Sequence, residues 1–141
     1  MSEIQYSIRV LRANGYKVTQ PRKRVLEALA QAQQPVSPYD IQKMLGQKGS
    51  HLNHVTIYRI LDLLCLLNLA HRTLLLGGFV RCTLGQKEGC HRFMVCRQCG
   101  GLQEFADMAL CQEENEVAQD LGFRTEHHFS EFFGLCSKCQ G

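Results

Sequence analysis

Apolar side chains between residues 1 and 68 recur at intervals of three and four, the spacing of amphipathic helices. A leading helix is predicted to end at Asn14-Gly15. Three further helices are predicted to begin after Thr19, Ser37 and Asn53, because these side chains favour the position that caps a helix N-terminus. The last of them has the most regular apolar stripe, formed by Ile57, Ile60, Leu61 and Leu64.

Beyond residue 68 the apolar pattern shortens to the runs 70–76 and 79–84, and Gly77-Gly78 between them suits the turn of a β-hairpin. The residues that follow predict a strand over 102–105, a helix over 109–121 that stops at Gly122, and a strand over 123–129. The sequence therefore predicts an α+β protein with an N-terminal winged helix-turn-helix domain and a C-terminal α/β domain.

The formal net charge of +3 hides an uneven distribution. Residues 1–80 carry ten Lys and Arg against four Asp and Glu, whereas residues 81–141 carry six against nine and hold seven of the eight cysteines. A basic helical domain favours a DNA partner because Lys and Arg neutralise phosphates, although a solvated charged face has the same composition. The segregation predicts two domains with different roles.

The hydropathy of the chain predicts the cellular compartment, and the compartment in turn predicts how the cysteines are used. The chain has no uninterrupted apolar stretch of about 18 residues and no secretory pattern at its N-terminus, so we predict a cytoplasmic protein without a membrane partner. Thiol buffers keep cytoplasmic cysteines reduced. Metal ligation is therefore the expected use of the eight cysteines.

Two C-x-x-C pairs predict a closed zinc site. The four thiolates would saturate tetrahedral zinc, so the site should be structural and not hydrolytic. Gly100 supplies a left-handed residue behind the first pair. A redox dithiol and independent buried cysteines are the alternatives, and two matched pairs fit a redox dithiol poorly. The predicted ligands are Cys96, Cys99, Cys136 and Cys139.

Three segments of the basic half resemble the ferric uptake regulator family: 17–22 (KVTQPR), 39–41 (YDI) and 55–59 (VTIYR). The resemblance extends from about Val10 to the last residue and implies a dimeric, metal-dependent bacterial repressor of operator DNA. It implies a winged-helix DNA-binding domain at 1–83, a hinge at 84–91 and a dimerisation and metal-binding domain at 92–141. The DNA contacts that it implies are Lys17, Tyr39, Tyr58 and Arg59. For the two tyrosines, a half-buried ring that packs the helix-turn-helix is the alternative.

The resemblance also implies a regulatory metal site, similar to that of the zinc-sensing branch, at His71, Cys82, His91 and Glu104. A thiolate among nitrogen and oxygen ligands favours zinc over iron or manganese. Phe93 stands where many relatives carry another histidine, so a full set depends on Glu104. Taken singly, these residues have alternatives as a wing-surface histidine, a small buried cysteine and a solvated glutamate.

A third metal site is implied more weakly by Cys90, Cys111 and His128, because Arg92 stands at the fourth ligand position and cannot ligate. Buried structural cysteines and a surface histidine pair are the alternatives. Two zinc ions per chain are expected, and a third only if this last set binds metal. Cys65 is expected to be a core residue.

These features predict a zinc-responsive, homodimeric transcriptional repressor of zinc uptake genes, with an iron- or peroxide-responsive regulator of the same family as the alternative. No catalytic motif is present, so an enzyme is not expected. Several apolar residues of the acidic half are expected at the dimer surface, with a monomer core as the competing use. They are Leu110, Val117, Leu121, Phe123, Phe129, Phe132 and Phe133.

Overall fold

The computed structural model describes residues 2–85, 90–126 and 130–141. The chain divides into two compact units, Met1–Cys82 and Thr83–Gly141. The predicted α+β class is confirmed, with helices and a two-stranded wing in the first unit and a sheet with one helix in the second. None of the described helices is both long and apolar enough to cross a membrane.

The first unit begins with four helices, and the N-terminal ends of the last three agree with the capping residues predicted from the sequence. The four helices are α1 (Glu3–Ala13), α2 (Gln20–Gln31), α3 (Pro38–Gln47) and α4 (His54–Leu66). The predicted caps are confirmed, because the side chains of Thr19, Ser37 and Asn53 each accept a hydrogen bond from a backbone N–H in the first turn. Polar side chains that satisfy these N–H groups fix where each helix starts.

Fourteen buried apolar residues form one core in this unit. The predicted stripe of α4 is part of that core, and Ile57, Leu61 and Leu64 are fully buried. Each such side chain contributes about 1.5–3 kcal/mol relative to an exposed one. The opposite face of α4 is thereby fixed toward solvent.

The wing is a hairpin of β1 (Ala70–Arg72) and β2 (Phe79–Arg81), paired antiparallel. Both strands are shorter than the predicted runs 70–76 and 79–84. The reason is that residues 74–76 are exposed leucines in the turn, whose apolar character the sequence pattern assigned to a strand. Val36, which precedes α3, extends the hairpin through two backbone hydrogen bonds with Phe79, of 3.0 and 2.7 Å.

The Val36 backbone can lie close to the hairpin because residue 78 is a glycine. Its φ is +86°, and a Cβ built there would lie 2.9 Å from the carbonyl oxygen of Val36. We expect Gly78→Ala to lower the free energy of unfolding by about 2 kcal/mol more than Gly77→Ala. Gly77 is the matched control, because its φ is also positive, at +69°, but no atom lies within 4 Å of its Cβ position. Urea unfolding followed by circular dichroism measures the difference, and equal losses would contradict this role of Gly78.

The second unit contains β3 (His91–Cys96), β4 (Leu102–Ala106), α5 (Met108–Asp120) and β5 (Glu131–Gly134). The sheet order is β4-β3-β5, with β4 antiparallel and β5 parallel to β3. The predicted strand at 102–105 and helix at 109–121 are present. Among the described residues only four apolar side chains of this unit are buried, and two of these are cysteines.

The predicted strand over 123–129 is wrong for residues 123–126, and residues 127–129 lie outside the described part of the chain. Phe123 instead completes the C-terminal cap of α5: its N–H donates to the Ala118 carbonyl, and the Gly122 N–H donates to Gln119. The last strand comes later, at Glu131–Gly134.

Candidate metal sites and DNA-binding surface

The four predicted cysteine ligands lie together at one end of the second unit. Cys96 ends β3 and Cys99 lies in the turn that follows it. The parallel register pairs Cys96 with Gly134, so the chain leaving β5 carries Cys136 and Cys139 to the same place. Strand pairing therefore closes a gap of about 40 residues in the sequence.

The sulfur atoms have a spacing that fits one metal ion. All four lie within 4.8 Å of one another, and Cys99 Sγ lies 3.9 Å from Cys136 Sγ. Tetrahedral zinc with Zn–S bonds of about 2.3 Å separates its sulfurs by roughly 3.8 Å. The donor set therefore fits a zinc site made of four cysteine thiolates, as the sequence predicts.

Local hydrogen bonds already favour a thiolate at one of these positions. The backbone N–H of Cys99, followed by that of Cys136, lowers the pKa of Cys96 to about 6. Conversely, the hydrogen bond between Cys139 and the Cys136 side chain, followed by burial, raises the pKa of Cys139 to about 12. A bound metal would have to displace the proton from Cys139, so binding is coupled to proton release.

His91 and Glu104, two of the residues assigned to the regulatory site, meet on neighbouring strands of the second unit. His91 Nδ1 lies 3.0 Å from Glu104 Oε2, and the two side chains are only 6% and 1% exposed. The other carboxylate oxygen of Glu104 accepts from the Thr83 backbone N–H at 2.7 Å and from its hydroxyl at 3.0 Å. These hydrogen bonds orient the carboxylate toward the imidazole, as partners of metal ligands commonly do.

His71 and Cys82, the other two residues assigned to that site, lie on the wing of the first unit. His71 is opposite Val80 in the hairpin, and Cys82 follows β2 and donates its backbone N–H to the Leu69 carbonyl at 2.9 Å. This register places both side chains on one face of the hairpin. A ring nitrogen of His71 lies within 4.8 Å of Cys82 Sγ.

The residues of the third expected site are arranged differently. The sulfurs of Cys90 and Cys111 are joined to each other in a disulfide, so in this structure neither is a thiolate ligand. His128 lies outside the described residues. Arg92 stands at the fourth ligand position of this expected site, and arginine cannot ligate a metal. It is buried with 2% exposure and pairs with Glu114 of α5.

The two predicted DNA contacts on α4 lie on its outer face. Arg59 is exposed, and Tyr58 is 37% exposed. The Tyr58 ring packs edge-on against Phe79 of the wing, and its hydroxyl accepts a hydrogen bond of 3.1 Å from Arg72. Tyr58 is thus partly a packing residue, as its alternative interpretation held, with its hydroxyl at the surface beside a cation.

The other two predicted contacts, Tyr39 and Lys17, lie elsewhere in the same unit. Tyr39 is 61% exposed and stacks on His54 at a centroid distance of 4.6 Å. Lys17 is exposed, and its carbonyl accepts a hydrogen bond from Arg22. Sequence reasoning did not find Arg72 or Thr83, because both act through partners more than ten residues away.

The second unit exposes a large amount of apolar surface. The exposed fractions are 59% for Val117, 71% for Leu121, 71% for Phe123, 44% for Phe132 and 58% for Phe133. A core within the monomer, which was the competing interpretation of these residues, is therefore excluded for this set. Apolar surface of this extent is typical of a protein interface.

A winged helix-turn-helix that is followed in the chain by a small α/β unit with a four-thiol cluster defines a class of metal-binding regulators. Residues 13–133 match the ferric uptake regulator family, and the chain belongs to that family. It is therefore a metal-responsive transcription regulator.

Individual relatives agree with this assignment. The ferric uptake regulation protein of Legionella pneumophila is 31% identical over 131 residues, which are 92% of this chain and 96% of that protein. The fold is similar to that of a zinc uptake regulator complexed with zinc and DNA, with a TM-score of 0.86, 22% identity, and coverage of 96% of this chain and 91% of that one. It is also similar to holo XcZur, with a TM-score of 0.85, 26% identity, and coverage of 96% and 94%.

Proposed function

We propose that this protein is a zinc-responsive transcriptional repressor that binds operator DNA as a homodimer and controls zinc uptake genes. The observation that carries the proposal is the chemistry of the assigned ligand set: a thiolate, two imidazoles and a carboxylate, at His71, Cys82, His91 and Glu104. These ligand types suit tetrahedral zinc. The sulfur of Cys82 disfavours iron and manganese, which prefer nitrogen and oxygen ligands.

The proposed site would couple zinc to DNA through the hinge at 84–91. Two of its ligands precede the hinge and two follow it in the chain. Within the second unit, the backbone N–H and hydroxyl of Thr83, the residue after Cys82 in the chain, donate hydrogen bonds to the Glu104 carboxylate. Zinc binding would select the hinge angle that sets two recognition helices about 34 Å apart on DNA. By reciprocity, DNA would tighten zinc binding, typically by a coupling of about 1–3 kcal/mol.

The second metal ion would be structural and would occupy the four-cysteine cluster, which gives two zinc ions per chain. The homodimer is supported by the exposed apolar residues of the second unit. The proposed compartment is the cytoplasm, and no enzymatic role is proposed, because both ligand sets are saturated by the protein and leave no position for a reacting water.

An iron-responsive regulator is the second candidate, because curated relatives such as that of Legionella pneumophila are ferric uptake regulation proteins. The experiment that separates the two is a DNA-binding titration against free Zn²⁺, Fe²⁺ or Mn²⁺. The probe is double-stranded DNA selected from a random pool by the metal-loaded protein. We expect DNA binding to saturate at the lowest free concentration with zinc, and activation by iron at lower concentrations than zinc would support the alternative.

Arg59 is the residue of α4 that we expect to read a base. Its planar guanidinium presents a rigid fork of donors that matches both acceptors of a guanine edge, whereas the ammonium of Lys is a point charge on a flexible stem. We expect Arg59→Ala to weaken binding to the selected DNA by about 1–3 kcal/mol while leaving zinc content and dimerisation unchanged. Competition with unrelated DNA measures the specificity.

Arg59→Lys is the matched control, because it keeps the charge and removes the fork of donors. It should retain most of the salt-dependent binding to unrelated DNA and lose part of the preference for the selected sequence. Unchanged sequence preference in both variants, or loss of zinc in Arg59→Ala, would contradict the assignment.

A further inference from the structure

Cys90 and Cys111 lie outside both proposed zinc sites and face each other within the second unit. Cys90 immediately precedes β3, and Cys111 lies in the first turn of α5. Their Cα atoms are 5.7 Å apart across a sequence separation of 21 residues, and the structure joins their sulfurs. That Cα separation is within the range that a disulfide spans without backbone movement.

A second link ties the same two elements together one turn further along. Arg92, two residues after Cys90, is 2% exposed, and its guanidinium pairs with Glu114, three residues after Cys111. The same guanidinium donates to the Ser130 hydroxyl at 3.0 Å. The cationic guanidinium of Arg92 occupies the Glu114 carboxylate and places a positive charge on a residue two positions from Cys90. Both effects disfavour a divalent metal there.

We infer that Cys90 and Cys111 are a reversible oxidation site, and that their disulfide tightens zinc binding at the neighbouring residue, His91. In the cytoplasm the pair would be a dithiol at rest, and disulfides that form there are commonly transient and redox-sensing. Hydrogen peroxide would oxidise one thiol to a sulfenic acid with release of water. The second thiol would then attack that sulfur, forming the S–S bond and releasing a second water. Two electrons pass from the two sulfurs to the peroxide, and a cellular thiol can reverse the step.

The effect on zinc follows from the position of His91. His91 is covalently next to Cys90 and already lies 3.0 Å from Glu104. Fixing Cys90 to α5 reduces the motion of the backbone that carries His91, so the ligand loses less conformational freedom when it binds zinc. This part of the inference rests on the proposed function.

The test uses full-length zinc-loaded protein, treated with one equivalent of hydrogen peroxide or kept reduced. Peptide mapping should find a Cys90–Cys111 cross-link in the treated protein. Competition with a chromophoric chelator should then show zinc at the weaker site held up to about tenfold more tightly than in reduced protein. Cys111→Ser and Cys90→Ser should each lose the cross-link and the change in affinity, and Cys65→Ala, the matched control, should keep both.

Three results would overturn the inference: both cysteines alkylated after treatment, a cross-link without any change in zinc affinity, or a third zinc in the reduced protein that Cys90→Ser and Cys111→Ser each lose. Failure of the proposed function is recognised separately, because Cys82→Ser would then retain the weaker zinc whether or not the cross-link forms.

Discussion

Cys82→Ser is expected to remove one of two zinc ions per chain and to abolish zinc-dependent DNA binding. Serine is nearly isosteric with cysteine but does not replace its thiolate as a zinc ligand at neutral pH, because its hydroxyl stays protonated. Losing one of four ligands should weaken the regulatory site by at least about 100-fold, since even changes to residues that only support a ligand cost about 10–100-fold. The structural zinc and the fold of both units should be unchanged. Metal content per chain and DNA binding titrated against free zinc measure the two effects.

Cys65→Ala is the matched control for loss of a thiol in the same unit. Cys65 belongs to neither proposed ligand set: it packs against the core of the first unit, and burial raises its pKa to about 11. The control should keep two zinc ions and normal zinc-dependent DNA binding. If Cys82→Ser represses normally and keeps both ions, the regulatory site is assigned to the wrong residues.

The N-terminal fold could be predicted because its determinants are local. Thr19, Ser37 and Asn53 cap helices through residues at most three positions away, and the core stripe of α4 follows from periodicity within one element. The two C-x-x-C pairs could also be predicted as metal ligands, because the two cysteines of each pair lie within a single turn of the chain. In both cases the residues that determine the local structure lie within a few positions of one another in the sequence.

The sheet of the second unit could not be predicted in the same way. Residues 91–96 do not alternate, because Arg92 and Phe93 are both buried, so the pattern of a half-exposed strand is absent. Pairing of β3 with β5 is parallel and joins residues about 40 positions apart. The buried arginine itself depends on Glu114, 22 residues away, and no local feature of the sequence predicts that partner.

The orientation of the Glu104 carboxylate in the candidate regulatory site also could not be predicted from local sequence. The family resemblance assigns Glu104 as a ligand, but its orientation depends on Thr83, which precedes it by 21 residues. Nothing in residues 83–85 distinguishes this threonine from an ordinary loop residue. In the structure, the backbone N–H and the hydroxyl of Thr83 hold one carboxylate oxygen of Glu104, and the other oxygen lies beside His91.

Loss of the four-cysteine zinc is expected to unfold the second unit while the first stays folded. In the described residues, the second unit buries four apolar side chains and the first buries fourteen. A core this small rarely supplies more than about 3–5 kcal/mol, whereas structural zinc contributes about 10–16 kcal/mol in small zinc-dependent domains. Cys136→Ser should therefore abolish protection of residues 92–141 from proteolysis. Strong chelators should have the same effect on the wild-type protein.

The two zinc sites can be separated by comparing this variant with Cys82→Ser. Cys136→Ser should lose the structural zinc, the fold of the second unit and the dimer, because the exposed apolar residues of that unit no longer form one surface. Cys82→Ser should lose one zinc and keep the dimer. Proteolysis followed by mass spectrometry, together with sedimentation, distinguishes the two patterns. A Cys136→Ser protein that remained protease-resistant and dimeric would show that the sheet and α5 are stable without the metal, and the cluster would then have no structural role.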